Sequence, residues 1–381
     1  MTRRRRIKVL HVLPTGHAGG VETFALAVAR GLDSDRFEFR ACILGQDGPV
    51  AEQLRRLGVR TSLLGLASRP RPASALALVR AVRGADIVHV NAGGSRLRRI
   101  AALAGARVIT HVHGPPDAWV PRLRAGDTSL ASEITRVFLA KSDLVVAFSH
   151  YCKKMVIDQV PGATVRIIPY GIEICPDGHA ATGREARSVR GLPESAGVVG
   201  FVGRLCPQKG IPALLECARL LFERNSDALL VIVGDGPLRC DVDRFSETYP
   251  GRVMVVGETD EARTWMAAFD LLLVPSNWEP LGIVAVEAMA AALPVVAFDI
   301  DGLPEVIVHG ETGLLVPAGD TSAMAAAVGE LLADPHRARS MGLSGRRRAE
   351  QSFSFDGMIG SLESLYRGEA GLPAKRAHPD A

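Results

Sequence analysis

Four short stretches of this sequence combine residue types suited to phosphate and polyol chemistry. The first is Gly16-His17-Ala18-Gly19-Gly20-Val21-Glu22. It follows an apolar run and opens a helical pattern, where free backbone N–H groups attract anions and glycine admits a phosphate closely. The spacing is not G-x-G-x-x-G, and no acid stands at the ribose position of a dinucleotide fold. Taken alone, a tight strand-to-helix turn explains it equally well. The second, Gly203-Arg204-Leu205-Cys206-Pro207-Gln208-Lys209-Gly210, sets Arg204 and Lys209 five apart before another helical pattern. A guanidinium fork and an ammonium point charge together suit a diphosphate; the alternative is two solvated cations. The third, Gly234-Asp235-Gly236-Pro237, is a strand-end turn whose glycines permit close backbone approach. The fourth runs from Glu279-Pro280-Leu281-Gly282-Ile283 to Glu287 and Ala290. Glu279 falls in a loop, Gly282 opens a helix, and Glu287 lies inside it among apolar neighbours, where a buried carboxylate needs a polar partner. Two carboxylates there can hold hydroxyl groups while N–H groups at Leu281 to Ile283 hold phosphate. The alternative is a helix cap with one internally paired glutamate.

The elements that must carry these stretches alternate regularly. Strand-like apolar runs fall at 7–13, 38–44, 59–64, 86–90, 107–112, 143–148 and 165–169, with helical patterns at 21–31, 73–83 and 150–158 among them. Strands apolar throughout belong to parallel sheets covered on both faces. The alternation predicts a doubly wound α/β domain over 1–175. Residues 176–196, rich in Pro, Gly, Ala, Arg and Glu, read as a linker. The alternation then restarts with strands at 198–202, 228–233, 252–256, 271–275, 294–298 and 313–316 and helices at 210–223, 260–268, 282–291 and 320–333. That predicts a second Rossmann-like domain over 197–352. Further helical patterns cover 336–349 and 355–367, residues 115–130 form a long irregular loop, and the tail after 368 is expected to be disordered.

Composition narrows the class. Of 381 residues, 47% are hydrophobic and 23% charged, as in a globular protein. The six cysteines form no C-x-x-C pair, so neither a structural zinc site nor a disulfide scaffold is expected. No apolar run of about 18 residues is present to cross a membrane. Arg3 to Arg6 precede too short an apolar stretch for a secretory leader. They are either a solvated terminus or a contact with anionic lipid or nucleic acid. The net charge of +4 conceals an asymmetry. Residues 1–175 hold 26 Lys and Arg against 13 Asp and Glu, a net of +13, and the remainder hold 19 against 28, a net of −9. Reduced thiols in a cytoplasmic protein are the expectation, either free or peripheral to the inner face of the membrane.

In order and spacing, the Gly-Gly-Val-Glu loop, the Gly-Arg…Lys-Gly segment, the Gly-Asp-Gly-Pro turn and the Glu279…Glu287 element resemble those of family 4 glycosyltransferases of the GT-B fold. The similarity spans roughly residues 7–368, and the chain resembles capsular or exopolysaccharide-type members. It implies two Rossmann-like domains facing across a cleft, with a final helix, 353–368, crossing back to the first. It also implies a retaining, nucleotide-sugar-dependent transferase that needs no metal and no further cofactor. Arg204 and Lys209 match the pair on the donor diphosphate, and Glu287 the carboxylate on the ribose. Glu279 matches the contact to donor-sugar hydroxyls, and Leu281, Gly282 and Ile283 the backbone donors. Gly19 and Gly20 match the glycine loop facing the diphosphate. Val253 to Glu258 match the stretch beside the base, which makes Glu258 a donor-binding candidate. Thr110-His111-Val112-His113-Gly114 resembles the family's Thr-x-His segment, so His113 joins Arg204, Lys209 and Glu279 as a catalytic candidate. His111 lies on the same strand face but deeper, and His11 and His89 read as core histidines.

Two departures fall in the first domain. Tyr170 stands where the family often has Asn, and Asn91 where it often has His; with His113 they are the acceptor-side candidates. Of two D-x-D strings, Asp241-Val-Asp243 falls in a helical pattern and Asp299-Ile-Asp301 at a strand end. With Arg204, Lys209 and helix N-termini present, neither is required as a metal site. The expected partners are a nucleotide-diphosphate sugar and a glycan, lipid or small-molecule acceptor, with no nucleic acid. The basic first domain fits an acidic acceptor or an anionic membrane surface; the alternative is that it attracts the acidic second domain. Three rival readings share the fold pattern: a nucleotide-sugar epimerase, a nicotinamide dehydrogenase, and a non-catalytic nucleotide or polyanion binder. The dehydrogenase lacks its fingerprint.

Overall fold

A computed structural model describes residues 5–17, 19–65, 72–91, 101, 104–114, 142–174, 183–224 and 227–370. The chain divides into two compact units, Met1–Tyr170 with Phe355–Ala381, and Gly171–Ser354. The expected loop 115–130 and the tail from Gly371 lie outside the described residues.

In the first unit, β1 (Ile7–Leu13), β2 (Phe37–Ile43), β3 (Arg60–Leu63), β4 (Ile87–Val90), β5 (Arg107–Val112), β6 (Leu144–Ala147) and β7 (Val165–Ile167) form one sheet. Its order is β3-β2-β1-β4-β5-β6-β7, and every pairing is parallel. The central strands are buried over their whole length because helices cover both faces. One face packs against α3 (Pro72–Val82) and α4 (His150–Gln159), through Leu10, Val12, Val88, Val90, Val108 and Val145. The other meets α1 (Gly20–Gly31) and α2 (Pro49–Arg56), through Leu13, Ala41 and Ile43. α4 begins where Ser149 Oγ accepts the Cys152 N–H at 3.1 Å, an ordinary serine cap.

The second unit holds β8 (Gly197–Val202), β9 (Ala228–Val233), β10 (Val253–Gly257), β11 (Leu271–Val274), β12 (Val295–Phe298) and β13 (Gly313–Val316), again parallel, in the order β10-β9-β8-β11-β12-β13. Its helices are α5 (Gly183–Val189), α6 (Ile211–Arg224), α7 (Arg239–Thr248), α8 (Ala262–Met266), α9 (Ile283–Ala290), α10 (Leu303–Val306), α11 (Thr321–Ala333) and α12 (Pro335–Ser352). Residues 183–196, expected as linker, belong to this unit. Arg187 anchors them, donating to the carbonyls of Ala268, Glu194 and Ala196 and pairing with Asp270 at 2.6 Å.

The last helix, α13 (Phe355–Ala370), returns to the first unit and packs against α1, β1 and β4. It runs past the expected end at 368. Glu369, assigned from sequence to the disordered tail, is instead buried against Arg107, with Oε2 2.6 Å from Nη2. Near its start Ile359 lies over Gly31, and Glu363 accepts the Asp33 N–H at 3.0 Å. At the amino terminus Arg5 pairs with Asp86 at 2.6 Å and Arg6 reaches the Ser34 carbonyl. No described helix is long and apolar enough to cross a membrane.

Candidate active site

In open α/β sheets, ligands bind outside the carboxyl ends of the strands where the strand order reverses. In the second unit that point lies between β8 and β11. The loop after β8 carries Arg204 and Lys209, and the loop after β11 carries Glu279. The two loops are tied together: the Asn277 N–H donates to the Gln208 carbonyl at 2.8 Å, and Asn277 Nδ2 to the Pro207 carbonyl at 2.7 Å. Gly210 makes this approach feasible. Its φ of 67° is left-handed, and a Cβ there would meet the Pro275 carbonyl oxygen at 1.8 Å.

The result is a partly buried ion pair. Lys209 Nζ lies 2.7 Å from Glu279 Oε2, which also accepts from Ser276 Oγ at 3.1 Å. Glu279 is 6% exposed. Its own N–H donates to Asp301 Oδ2 at 2.8 Å, and its carbonyl accepts from the Gly302 N–H. Asp301 of the Asp299-Ile-Asp301 string therefore holds the Glu279 backbone. In the other string, Asp241 and Asp243 pair with Arg244 and Arg239 on α7. Among the described residues, no group of three or more His, Cys, Asp or Glu is placed to hold a metal ion.

Gly282, with φ 89°, turns the chain into α9. The N–H groups of Leu281, Gly282 and Ile283 find no acceptor among the described residues, so they remain free for an anion at the positive end of the helix. Glu287 follows on α9. It is less enclosed than its apolar neighbours predict, with 26% of its side chain exposed. Burial still raises its carboxyl pKa, opposed by Arg263, whose Nη2 stands 3.5 Å away, and by Lys209. Arg263, on α8, was missed from sequence, where nothing marks it among the other arginines. Arg204 is exposed, and its guanidinium has no ion-pair or hydrogen-bond partner among the described residues. Glu258 is exposed just beyond β10, two strands from β8, and among the described residues no hydrogen bond or ion pair links it to this cluster.

In the first unit the order reverses between β1 and β4. Gly19 and Gly20 lie beyond β1. Gly19 caps α1, and Glu22 folds back over it, so that a Cβ on Gly19 would stand 2.6 Å from Glu22 Oε2. Glu22 is 3% exposed, its Oε1 has no partner, and burial raises its pKa. Around Gly20 no atom of the described residues lies within 4 Å of a Cβ position. Asn91 follows β4, and His113 follows β5; Asn91 Oδ1 lies 2.9 Å from His113 Nε2. Tyr170 is buried at 7% exposure, its ring 6.0 Å from Phe24 and 5.7 Å from Phe148. His11, His89 and His111 lie beneath, as the core positions expected of them.

Two Rossmann-like units and a last helix that returns to the first define a GT-B architecture. Two family models match the chain: Glycosyltransferase Family 4 over residues 18–174, and Glycosyl transferases group 1 over residues 196–334. The chain is 31% identical to the alpha-maltose-1-phosphate synthase of Mycolicibacterium smegmatis, over 68% of this chain and 71% of that protein. It is 30% identical to the D-inositol 3-phosphate glycosyltransferase of Salinispora tropica, over 95% of this chain and 83% of that one. The solved structure of Anabaena HepE in complex with UDP and glucose shares the fold, with a TM-score of 0.78, 21% identity, and 95% of this chain and all of that chain covered. The chain belongs to the family 4 glycosyltransferases and is an enzyme of glycosyl transfer.

Proposed function

We propose that this enzyme transfers a sugar, with retention at the anomeric carbon, from a nucleotide-diphosphate donor to an acceptor hydroxyl. The observation that carries this reading is the Lys209–Glu279 pair beside the unpaired N–H groups of Leu281, Gly282 and Ile283. A diphosphate needs positive charge and directed donors, and these supply both without reorganisation. Arg204 adds a guanidinium without a carboxylate partner. Glu279 accepts from donor-sugar hydroxyls, and Glu287 from the ribose, in a role Arg263 steadies. Gly19 and Gly20 leave room for phosphate at the start of α1, while Asn91, His113 and Tyr170 face the acceptor.

Retention through a covalent intermediate would need a carboxylate nucleophile under the anomeric carbon. Glu279 is held by Lys209 and Ser276, which suits a binding role better. The reading is therefore front-face substitution. The bond from the anomeric carbon to the phosphate oxygen breaks and the bond to the acceptor oxygen forms on the same face. The acceptor proton passes to the departing phosphate oxygen.

A donor screen tests the reading. The enzyme is incubated with UDP-, GDP-, ADP- and dTDP-sugars, with and without EDTA, and released nucleoside diphosphate is followed. One donor is expected to be hydrolysed slowly, with EDTA making no difference. Lys209→Ala and Glu279→Ala are each expected to lower turnover about 100- to 1,000-fold, the scale of a lost transition-state donor. No binding and no release with any nucleotide sugar would overturn it.

A further inference from the structure

Within the first unit a branched hydrogen-bonded network of six side chains runs from α13 to His113. The register produces it. His11 on β1 pairs directly opposite His89 on β4. Because side chains alternate along a strand, Asn91 shares the face of His89, and His111 and His113 share one face of the β5 end. α13 lays Tyr366 across that face. Its hydroxyl is 3.0 Å from His11 Nε2 and 2.6 Å from His89 Nδ1. His89 Nε2 lies 3.1 Å from His111 Nδ1. On the other branch Asn91 Nδ2 lies 3.3 Å from His11 Nδ1, and Asn91 Oδ1 is 2.9 Å from His113 Nε2.

Asn91 gives this chain a direction, since one end of its amide only donates and the other only accepts. Its Nδ2 donates to His11 Nδ1, so His11 carries its proton on Nε2 and donates to Tyr366. The tyrosine hydroxyl then donates to His89 Nδ1, and His89 donates from Nε2 to His111 Nδ1. That leaves the His111 proton on Nε2, an enclosed atom with no hydrogen-bond partner. The Phe24 ring is perpendicular to His111 at 4.7 Å, and Phe148 lies 4.2 Å away. Beside aromatic faces, which are negative, a proton is favoured over a bare lone pair. Burial keeps all four imidazoles neutral: the pKa values of His11 and His113 fall to about 3, and those of His89 and His111 well below 6.5. His113 then donates from Nε2 to Asn91. Its Nδ1 has no hydrogen-bond partner among the described residues.

We propose that Tyr366, His11 and Asn91 are positioning residues that fix His113 in its Nε2–H tautomer, so that it meets a substrate hydroxyl with Nδ1 as a hydrogen-bond acceptor. This rests on the role given to His113 above. It makes His113 an aiming group rather than an acid, and it ties that aim to a helix more than 240 residues further along the chain.

The test is side-chain 15N–1H correlation NMR on histidine-labelled protein near neutral pH, with each signal assigned by single His→Gln replacement. All four histidines are expected as neutral Nε2–H tautomers. A His113 proton on Nδ1, or averaged tautomers, overturns the proposal without any variant having to fold. In Tyr366→Phe, which keeps the ring and removes the bridge, His113 is expected to populate both tautomers. Turnover of the donor found in the screen should fall about tenfold at unchanged donor KM, within the range that misplacement costs. Asn91→Ala serves as the second variant, with the same tautomer readout. Lower thermal stability with His113 and turnover unaltered would mean packing alone, and overturns the proposal. Nucleotide binding is measured on the same samples. Its absence in the unaltered protein would defeat the transferase reading while leaving the tautomer result to stand or fall separately.

Discussion

In the first unit the strands run β3-β2-β1-β4-β5-β6, with β7 added at the edge; in the second, β10-β9-β8-β11-β12-β13 trace the same path. The interiors differ. Eleven of the described buried polar and charged residues belong to the first unit: His11, Glu22, Arg40, His89, Asn91, Arg107, Thr110, His111, Asp143, Ser149 and Glu369. The second unit has Ser276, Glu279 and Thr312. Two of those three belong to the Lys209 cluster at the strand ends, so the second sheet is an apolar frame with its chemistry at the rim. The first carries polar chains through its core, from α13 to the strand ends. A strand order therefore places a site without dictating what supports it.

The sharpest way to break this comparison is acid. The four imidazoles have folded pKa values below the unfolded 6.5. Between the two values the unfolded chain binds more protons, so this stability is complete above about pH 6.5 and is lost as pH falls toward the folded values. Each histidine contributes about 1.4 kcal/mol per pH unit in that window. Glu22 and Glu287 are raised and run the other way, but there is one in each unit, so they do not separate the two. Hydrogen exchange in urea at pH 5 and at pH 7 should show the first unit losing protection at the lower pH while β8, β9 and β11 hold theirs. Equal loss in both units would mean that the histidines titrate normally.

A single substitution gives the next largest effect. Arg107 is enclosed between Glu369, 2.6 Å away on α13, and Asp143, 3.4 Å away, whose other oxygen accepts the Val108 N–H. Removing one member of a buried ionic group strands the charge of the others, at a cost of about 3–5 kcal/mol. Arg107→Ala is expected to lower the first unit's unfolding midpoint and to expose α13 to exchange, with the second unit unchanged. Arg219, with Glu216 and Glu223 on the solvated face of α6, is the control. Arg219→Ala there should leave the unfolding midpoint nearly unchanged.

How much of this was legible in the sequence depended on distance along the chain. Runs such as IKVLHVL and ALLVIV, buried on both faces, marked strands whose bounds the structure reproduces at Ile7–Leu13 and Ala228–Val233. α2 has no clear sign in the sequence: its eight residues bury only Val50, Ala51 and Leu54, too few for a clear period. Lys209 and Glu279 could be named from their own loops, but their pairing depends on Gly210 letting two loops 70 residues apart meet. The histidine chain left only isolated signals. His11, His89 and His111 each look like one imidazole in an apolar strand. What joins them is strand register and Tyr366, which arrives 355 residues after His11. Arg107 and Glu369 are likewise far apart, and Glu369 was assigned to the tail.

The smallest effect separates support from function within one motif. Gly19 and Gly20 are adjacent, and neither has a positive φ. At Gly19 an added methyl would stand 2.6 Å from Glu22 Oε2, so this buried carboxylate must shift to admit it. Gly19→Ala is expected to cost about 1 kcal/mol, the scale of a disturbed helix cap. At Gly20, the first helical residue, a methyl enters empty space, and alanine restricts the unfolded chain more than glycine does. Gly20→Ala should leave stability unchanged or raise it by up to about 1 kcal/mol. If the glycine is there to admit a phosphate, the same variant weakens nucleotide-sugar turnover, because the methyl occupies the space the ligand needs. Urea midpoints and turnover measured on both variants decide it. A Gly20→Ala enzyme with undiminished turnover would leave Gly20 as an ordinary turn residue and confine the phosphate contacts to the second unit.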